Sequence, residues 1–173
     1  MITTTLKDLR KHDACVDGYN RLACHVAGNE FDPERETYVR LRHDEPITLA
    51  TILASNDLDD ALWALRACKQ TPELVRAERL FAVWCARQVQ HLMADPRSIA
   101  ALDVAERHAD GDATDAELDA AGDAAWAAAW AAAWDAARAA ARDAARDAQK
   151  TKFQSVFCGE SINVECLRTQ EAA

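Results

Sequence analysis

Apolar residues recur every three or four positions along most of this chain, the period of a helix with one buried face. Leu6 to His12 and about Cys15 to Val26 read as two short amphipathic helices, the second closing at Gly28-Asn29, a pair suited to a helix C-terminus. From Asn29 to Pro46 the period lapses. That segment is charged, holds Pro33 and Pro46, and has only the Thr37-Tyr38-Val39 run to suggest a strand, so it predicts a long connection or a weak hairpin. Helical signals then resume: Ile47 to Ala54 is apolar and stops at Ser55-Asn56-Asp57, which caps a helix carrying Leu58, Ala61, Leu62, Leu65 and Cys68. Thr71-Pro72-Glu73 opens another, with Leu80, Phe81, Trp84, Cys85, Gln88 and Leu92 as its inner stripe. Asp95-Pro96 repeats the cap-then-proline device before Ile99, Leu102, Val104 and Ala105, and Gly111 ends that segment.

The last helical signal differs in kind. Thr114 and Glu117 form a capping box, after which Ala dominates to Gln149, the composition with the highest intrinsic helix propensity. A straight helix from there to about Val156 would be about 60 Å long at 1.5 Å per residue, against a radius of gyration of about 16 Å for a compact chain of this size. The pattern therefore predicts either a bend near Gly122 or a helix that overhangs the body. Trp126, Trp130, Trp134, Arg138, Arg142 and Arg146 repeat every four residues, and because a turn takes 3.6, the stripe winds slowly around the helix. Two readings of it stay open. The Trp rings close the protein's own core and the Arg residues face solvent, or the stripe is a surface for a partner or a second copy. The partner reading makes those six residues the candidate binding site.

The predicted fold is all-α: an array of antiparallel helices followed by a long Ala-rich C-terminal helix. It divides into an acidic body at 1–112, the Ala/Trp/Arg helix at 113–158 and a tail at 159–173, in which Ile162 and Val164 show no clear period. With 5 Gly and 4 Pro, the chain has few of the turn-formers a sheet protein needs. The net charge of -9 arises mostly before residue 123, while the Ala-rich helix is balanced. Such a surface repels phosphate backbones, and the nearest basic cluster, Arg35 to Arg42, is interrupted by Glu36, so direct nucleic-acid binding is not expected. Charged Lys7 and Asp8 stand where a signal peptide is apolar, and no run approaches a membrane span, which points to the cytoplasm and away from membrane partners. In that compartment the 6 cysteines read as reduced thiols.

No catalytic constellation stands out. His12, Cys15, Cys24 and His25 lack the paired Cys-x-x-Cys of a structural zinc site, and the Asp57/Asp59/Asp60 and Asp110/Asp112/Asp115 groups sit where helix starts favour carboxylates. No metal or cofactor is expected. His91 with Asp95, and His108 with Asp112, lack a neighbouring nucleophile. Ala61 to Arg66 and Ala82 to Arg87 share an Ala, aliphatic, Trp, Arg pattern, which reads as two helices using the same packing of Arg on Trp.

The run Leu53 to Trp63, the run Phe81 to Leu92 followed by Asp95-Pro96-Arg97-Ser98, and the Ala/Trp/Arg helix together resemble a family of uncharacterised phage and prophage proteins across roughly residues 5 to 157. More distantly, Asp-x-Arg-Ser, a Val-Ala-Glu helix, Gly and an Ala-rich helix are similar in order to putative immunity proteins. Neither resemblance carries catalytic residues. They imply an origin in conflict between mobile elements and their hosts, where small acidic helical proteins bind and block a host machine. The sequence is accordingly read as a non-enzymatic factor that binds a bacterial host protein in the host cytoplasm, of the anti-defence or anti-CRISPR kind. The alternatives are a structural protein that self-assembles through its Ala/Trp helix, giving a homodimer, and a small-ligand module with a pocket lined by Trp63, Trp84 and Arg87.

Overall fold

The computed structural model describes residues 1–93, 95–132 and 138–167, except for the side chains of 125–132 and 138–145. Among the described residues there are eight α-helices and one two-stranded sheet, so the protein is all-α in character, as the pattern predicts. No helix among them is long and apolar enough to cross a membrane. The chain forms two compact units that divide at Thr71–Pro72, inside the segment the sequence presents as one body.

The first unit comprises residues 1–71 and 157–162. Strand β1 (Thr3–Thr4) pairs antiparallel with β2 (Ile47–Thr48), Thr3 opposite Thr48 and Thr4 opposite Ile47. Four helices complete it: α1 (Leu6–Lys11), α2 (Val16–Ala27), α3 (Leu49–Ser55) and α4 (Leu58–Ala64). Each begins on a side chain that accepts an otherwise unsatisfied backbone N–H of its first turn: Thr5 from Asp8, Cys15 from Gly18, Thr48 from Thr51 and Asp57 from Asp60. The core is aliphatic, with Leu6, Leu22, Leu49, Ile52, Leu53 and Leu58 almost wholly excluded from solvent. Thr4 is buried too, and its hydroxyl donates to the Ala67 carbonyl at 2.8 Å.

The long connection at 29–46 forms neither helix nor strand. Asn20, 1% exposed, clamps it: its Nδ2 donates to the Thr37 carbonyl at 3.0 Å and its Oδ1 accepts from the Val39 amide at 2.7 Å. One amide thus gives the loop the two bonds that a neighbouring strand would have supplied. Tyr38 adds a second tether, its hydroxyl donating to the Ala14 carbonyl and its ring meeting Tyr19 edge-on.

Among the described residues the second unit comprises those between 72 and 156 and those from 163 to 167. It holds α5 (Pro72–Gln88), α6 (Pro96–Asp110), α7 (Asp115–Ala132) and α8 (Arg138–Phe157), the last residue of α8 belonging to the first unit. Asp95 caps α6 with Pro96 at its first position, and Gly111 ends it in the left-handed conformation, all as the sequence indicates. The capping box forms as expected, Glu117 taking the Thr114 amide and Thr114 taking the Glu117 amide. The inner stripe of α5 departs from expectation. Leu74, Ala77, Leu80, Phe81 and Val83 are buried, but Gln88 is exposed and the helix stops there, so that Leu92, in a following 3₁₀ turn, is 57% exposed.

Helix α7 runs unbroken through Gly122. Residues 133–137, on which a single continuous helix depends, lie outside the described set. The aromatic side chain that α8 delivers to Phe81 is Phe153, wholly buried with ring centroids 5.8 Å apart, while the Lys152 ammonium sits 5.1 Å over the Trp84 ring. The tail docks in part: Lys152 Nζ donates to the Cys166 carbonyl at 2.9 Å, and Glu165–Leu167 form a 3₁₀ turn.

Candidate functional site

The first unit has a half-open cavity of about 260 Å³. Its floor is apolar, built from buried Leu9, Ala14, Leu22, Ile52 and Ala64, and its aromatic wall from Tyr19 and half-buried Trp63. Asp13, Cys15, Gly18, Asn56, Asp59 and Asp60 complete the lining, which includes no Lys, Arg or His. Local chain chemistry explains each placement. Helix α1 ends in a Schellman motif, Ala14 N bonding to Leu9 O at 3.0 Å and Asp13 N to Arg10 O at 3.2 Å. This turn puts Asp13 in the left-handed region at φ 62, a conformation that Asp tolerates better than most residues. Asp60 is held by Asn56, whose Nδ2 donates to it at 2.7 Å and to the Gly18 carbonyl at 2.8 Å. Gly18 is what lets α2 approach so closely, since a Cβ there would lie 2.7 Å from Asp60 Oδ2.

A second concavity of the same unit has the opposite charge. Lys7 and Arg10 of α1 gather with Arg40, Arg42 and His43 of the long connection around Leu6 and Leu41. The Arg10 guanidinium lies 3.8 Å over the Tyr38 ring, and Arg42 pairs with Asp44 at 3.6 Å in the open. The sequence shows only the Arg35 to Arg42 part of this cluster; the clamp by Asn20 and the stacking of Arg10 bring the rest to it.

In the second unit α5 and α6 are joined by ion pairs. Arg76 reaches the Ala109 carbonyl and Asp110 at 3.1 and 2.7 Å, and Arg87 bridges Asp103 and Glu106. Trp84, Arg87, Gln88, Glu106, Arg107 and Leu167 are among the residues around a further cavity there. Of the residues expected to line a pocket, Trp63 lines the first unit's cavity, and Trp84 and Arg87 line this one. The shared Trp-Arg pattern is realised once. Arg66 stacks 5.0 Å from the Trp63 ring, whereas over Trp84 the cation is Lys152, because Arg87 is taken by the carboxylates of α6.

His108 pairs with Asp115 at 2.6 Å and contacts Arg79, rather than meeting Asp112. Among the described residues no group of three or more His, Cys, Asp or Glu is arranged to hold a metal ion, so His12, Cys15, Cys24 and His25 do not converge. None of the six cysteines is in a disulfide. Burial pushes the Cys85 thiol up to about 11 and raises that of Cys158, which leaves both un-ionised at neutral pH.

Of the candidate partner-binding residues, Trp126 and Trp130 lie on the backbone of α7 and Arg138, Arg142 and Arg146 on that of α8. Arg146 is exposed. Trp134, and the side chains of Trp126, Trp130, Arg138 and Arg142, lie outside the described residues. No protein family, curated protein or solved structure was found to match the chain.

Proposed function

We propose that the chain is a non-enzymatic protein-binding factor whose binding element is the Ala-rich helical segment beginning at Asp115, and that its target is a bacterial host protein, as for a phage-encoded inhibitor of a defence system. One observation carries the reading: neither α6 nor residues 115–124 of α7 contains a single buried side chain, although α6 offers Ile99, Leu102 and Val104. In the sequence Trp126, Trp130 and Trp134 then follow at four-residue spacing. Apolar residues left half-buried on α6 and on the described part of α7 favour a surface completed by another molecule. The resemblance to phage and prophage proteins supports a bacterial target. The acidic cavity and basic groove of the first unit support an interface of mixed charge rather than mimicry of DNA.

The test is affinity capture of the full chain from bacterial lysate beside a Trp126→Ala, Trp130→Ala, Trp134→Ala variant, with circular dichroism showing that the variant stays helical. One bacterial protein in stoichiometric amount, recovered by the wild type and lost with the variant, is the expected result. Undiminished recovery by the variant refutes the assignment of the binding element. Light scattering that shows a wild-type dimer which the variant dissolves replaces the host target with a second copy of the chain.

A further inference from the structure

We infer that the basic concavity of the first unit binds a compact polyanion, a chain of two or three linked phosphates, free or carried by a nucleoside. This does not depend on the partner-binding reading, whose binding element is the Ala-rich segment. Charge points to the ligand. In a chain of net charge -9, Lys7, Arg10, Arg40 and Arg42 converge here with His43, and among the described residues of the lining Asp44 is the one carboxylate. Cations gathered without matching anions repel one another, and a bound polyanion relieves that repulsion. The acidic remainder of the surface does not cancel the attraction, because physiological salt screens charges over about 8 Å.

Arg10 is prepared for such a ligand. Its guanidinium is held 3.8 Å over the Tyr38 ring and 5.5 Å from the Tyr19 ring, and Tyr38 is itself tied to the Ala14 carbonyl. Among the described residues it meets rings alone, and no carboxylate pairs with it, with Lys7 or with Arg40. Arg42 does pair with Asp44, but both side chains stand almost wholly in solvent, where such a pair contributes little. The guanidinium forks of Arg10, Arg40 and Arg42 suit the oxygens of phosphate, which they can take two at a time. Size limits the ligand. At about 30 Å³ per water in the liquid, the 560 Å³ hold about nineteen non-hydrogen atoms. That is the scale of a triphosphate rather than of a nucleic-acid strand, which the acidic surroundings would repel.

Tripolyphosphate tests this, titrated by calorimetry into the full-length chain beside orthophosphate and adenosine triphosphate. Lys7 reports the location, since its exposed amine is acetylated by an N-hydroxysuccinimide ester in a reaction followed by mass spectrometry; Lys150, exposed and in the second unit, is the reference. Tripolyphosphate is expected to bind about tenfold more tightly than orthophosphate, to slow acetylation of Lys7 but not of Lys150, and to lose about tenfold in affinity with Arg40→Gln plus Arg42→Gln, two exposed positions. Asp44→Asn removes the opposing carboxylate and is expected to tighten binding, a result that misfolding does not produce. Tighter binding of adenosine triphosphate than of tripolyphosphate makes the ligand a nucleotide, equal or weaker binding makes it the bare phosphate chain, and each supports the site. Equal binding of orthophosphate, or a loss with Asp44→Asn, overturns the electrostatic assignment. Binding that leaves Lys7 unprotected or survives the double substitution, or no binding up to about 10 mM, overturns the site. A Glu-rich peptide of matched charge that binds more tightly than tripolyphosphate assigns the concavity to a partner's acidic segment and overturns the proposal.

Discussion

Truncating Phe153 to Ala tests whether α8 is a structural member of the second unit. The side chain is 0% exposed and meets Phe81 edge-on, with an interplanar angle of 82°, while Phe81 in turn stacks on Trp84 at 6.3 Å. Removing a wholly buried Phe costs about 3–5 kcal/mol through lost transfer energy and the cavity left behind. Against a total stability of about 5–15 kcal/mol for a domain, this is about a fifth or more. Phe153→Leu keeps most of the volume and is expected to cost about 1–1.5 kcal/mol. The aromatic pair itself contributes about 0.5–1.5 kcal/mol beyond the area it buries, and a double-mutant cycle with Phe81→Leu isolates that part. Urea unfolding at equilibrium, followed by far-ultraviolet circular dichroism, reads all four proteins of the cycle. A loss below about 1 kcal/mol for Phe153→Ala, or strict additivity in the cycle, would refute the packing of α8 on α5.

Gly18→Ala is expected to cost about 1 kcal/mol, since overpacking against Asp60 costs about 1–3 and the better helix propensity of Ala returns about 0.5–1. In an Asp60→Ala background the same change should become stabilising, and a loss that persists there refutes the clash. Asn20→Ala is expected to cost about 1–3 kcal/mol and to abolish slow hydrogen exchange at the Val39 amide; unchanged protection would show that the loop is held by other means. Asp95, partly exposed, is lowered to about 2 by hydrogen bonds from the Arg97 side chain and backbone amide. Its folded pKa lies below the ordinary 3.8, so what it adds to stability is complete above about pH 4 and disappears as the pH falls towards 2. A carbon-13 titration of its carboxyl placing the midpoint near 4 would show that the Arg97 contacts do not persist in solution.

The legible parts of the fold were those written in adjacent residues. Asp57, Asp95-Pro96, Thr114 with Glu117, Gly28 and Gly111 each mark a helix end because capping is a matter of one side chain and the next two or three amides. The β1–β2 pair was not legible, since two-residue strands carry no alternation to detect. Leu92 fell out of the stripe of α5 because the backbone leaves the helix at Val89, φ -112 and ψ 13, which rotates everything beyond it. The cavity escaped notice for another reason. Its polar lining comes from Asp13 and Cys15 at one end and Asn56, Asp59 and Asp60 at the other, and each group taken separately reads as turn and capping chemistry. Only the close approach at Gly18 brings them face to face, and a glycine in a helix gives no sign of what passes it.

That the first unit takes residues 157–162 as well as 1–71 bears on how the protein is made. During synthesis, at about 5–20 residues per second, α1 to α4 emerge and can form their local turns, but Phe157, 1% exposed in the finished protein, emerges only after the whole of the Ala-rich segment. The element that begins first is completed last. Ribosome-bound chains pass through a stage in which the opening helices exist without their closing piece, and cutting the gene at the boundary after Thr71 would hold them there permanently.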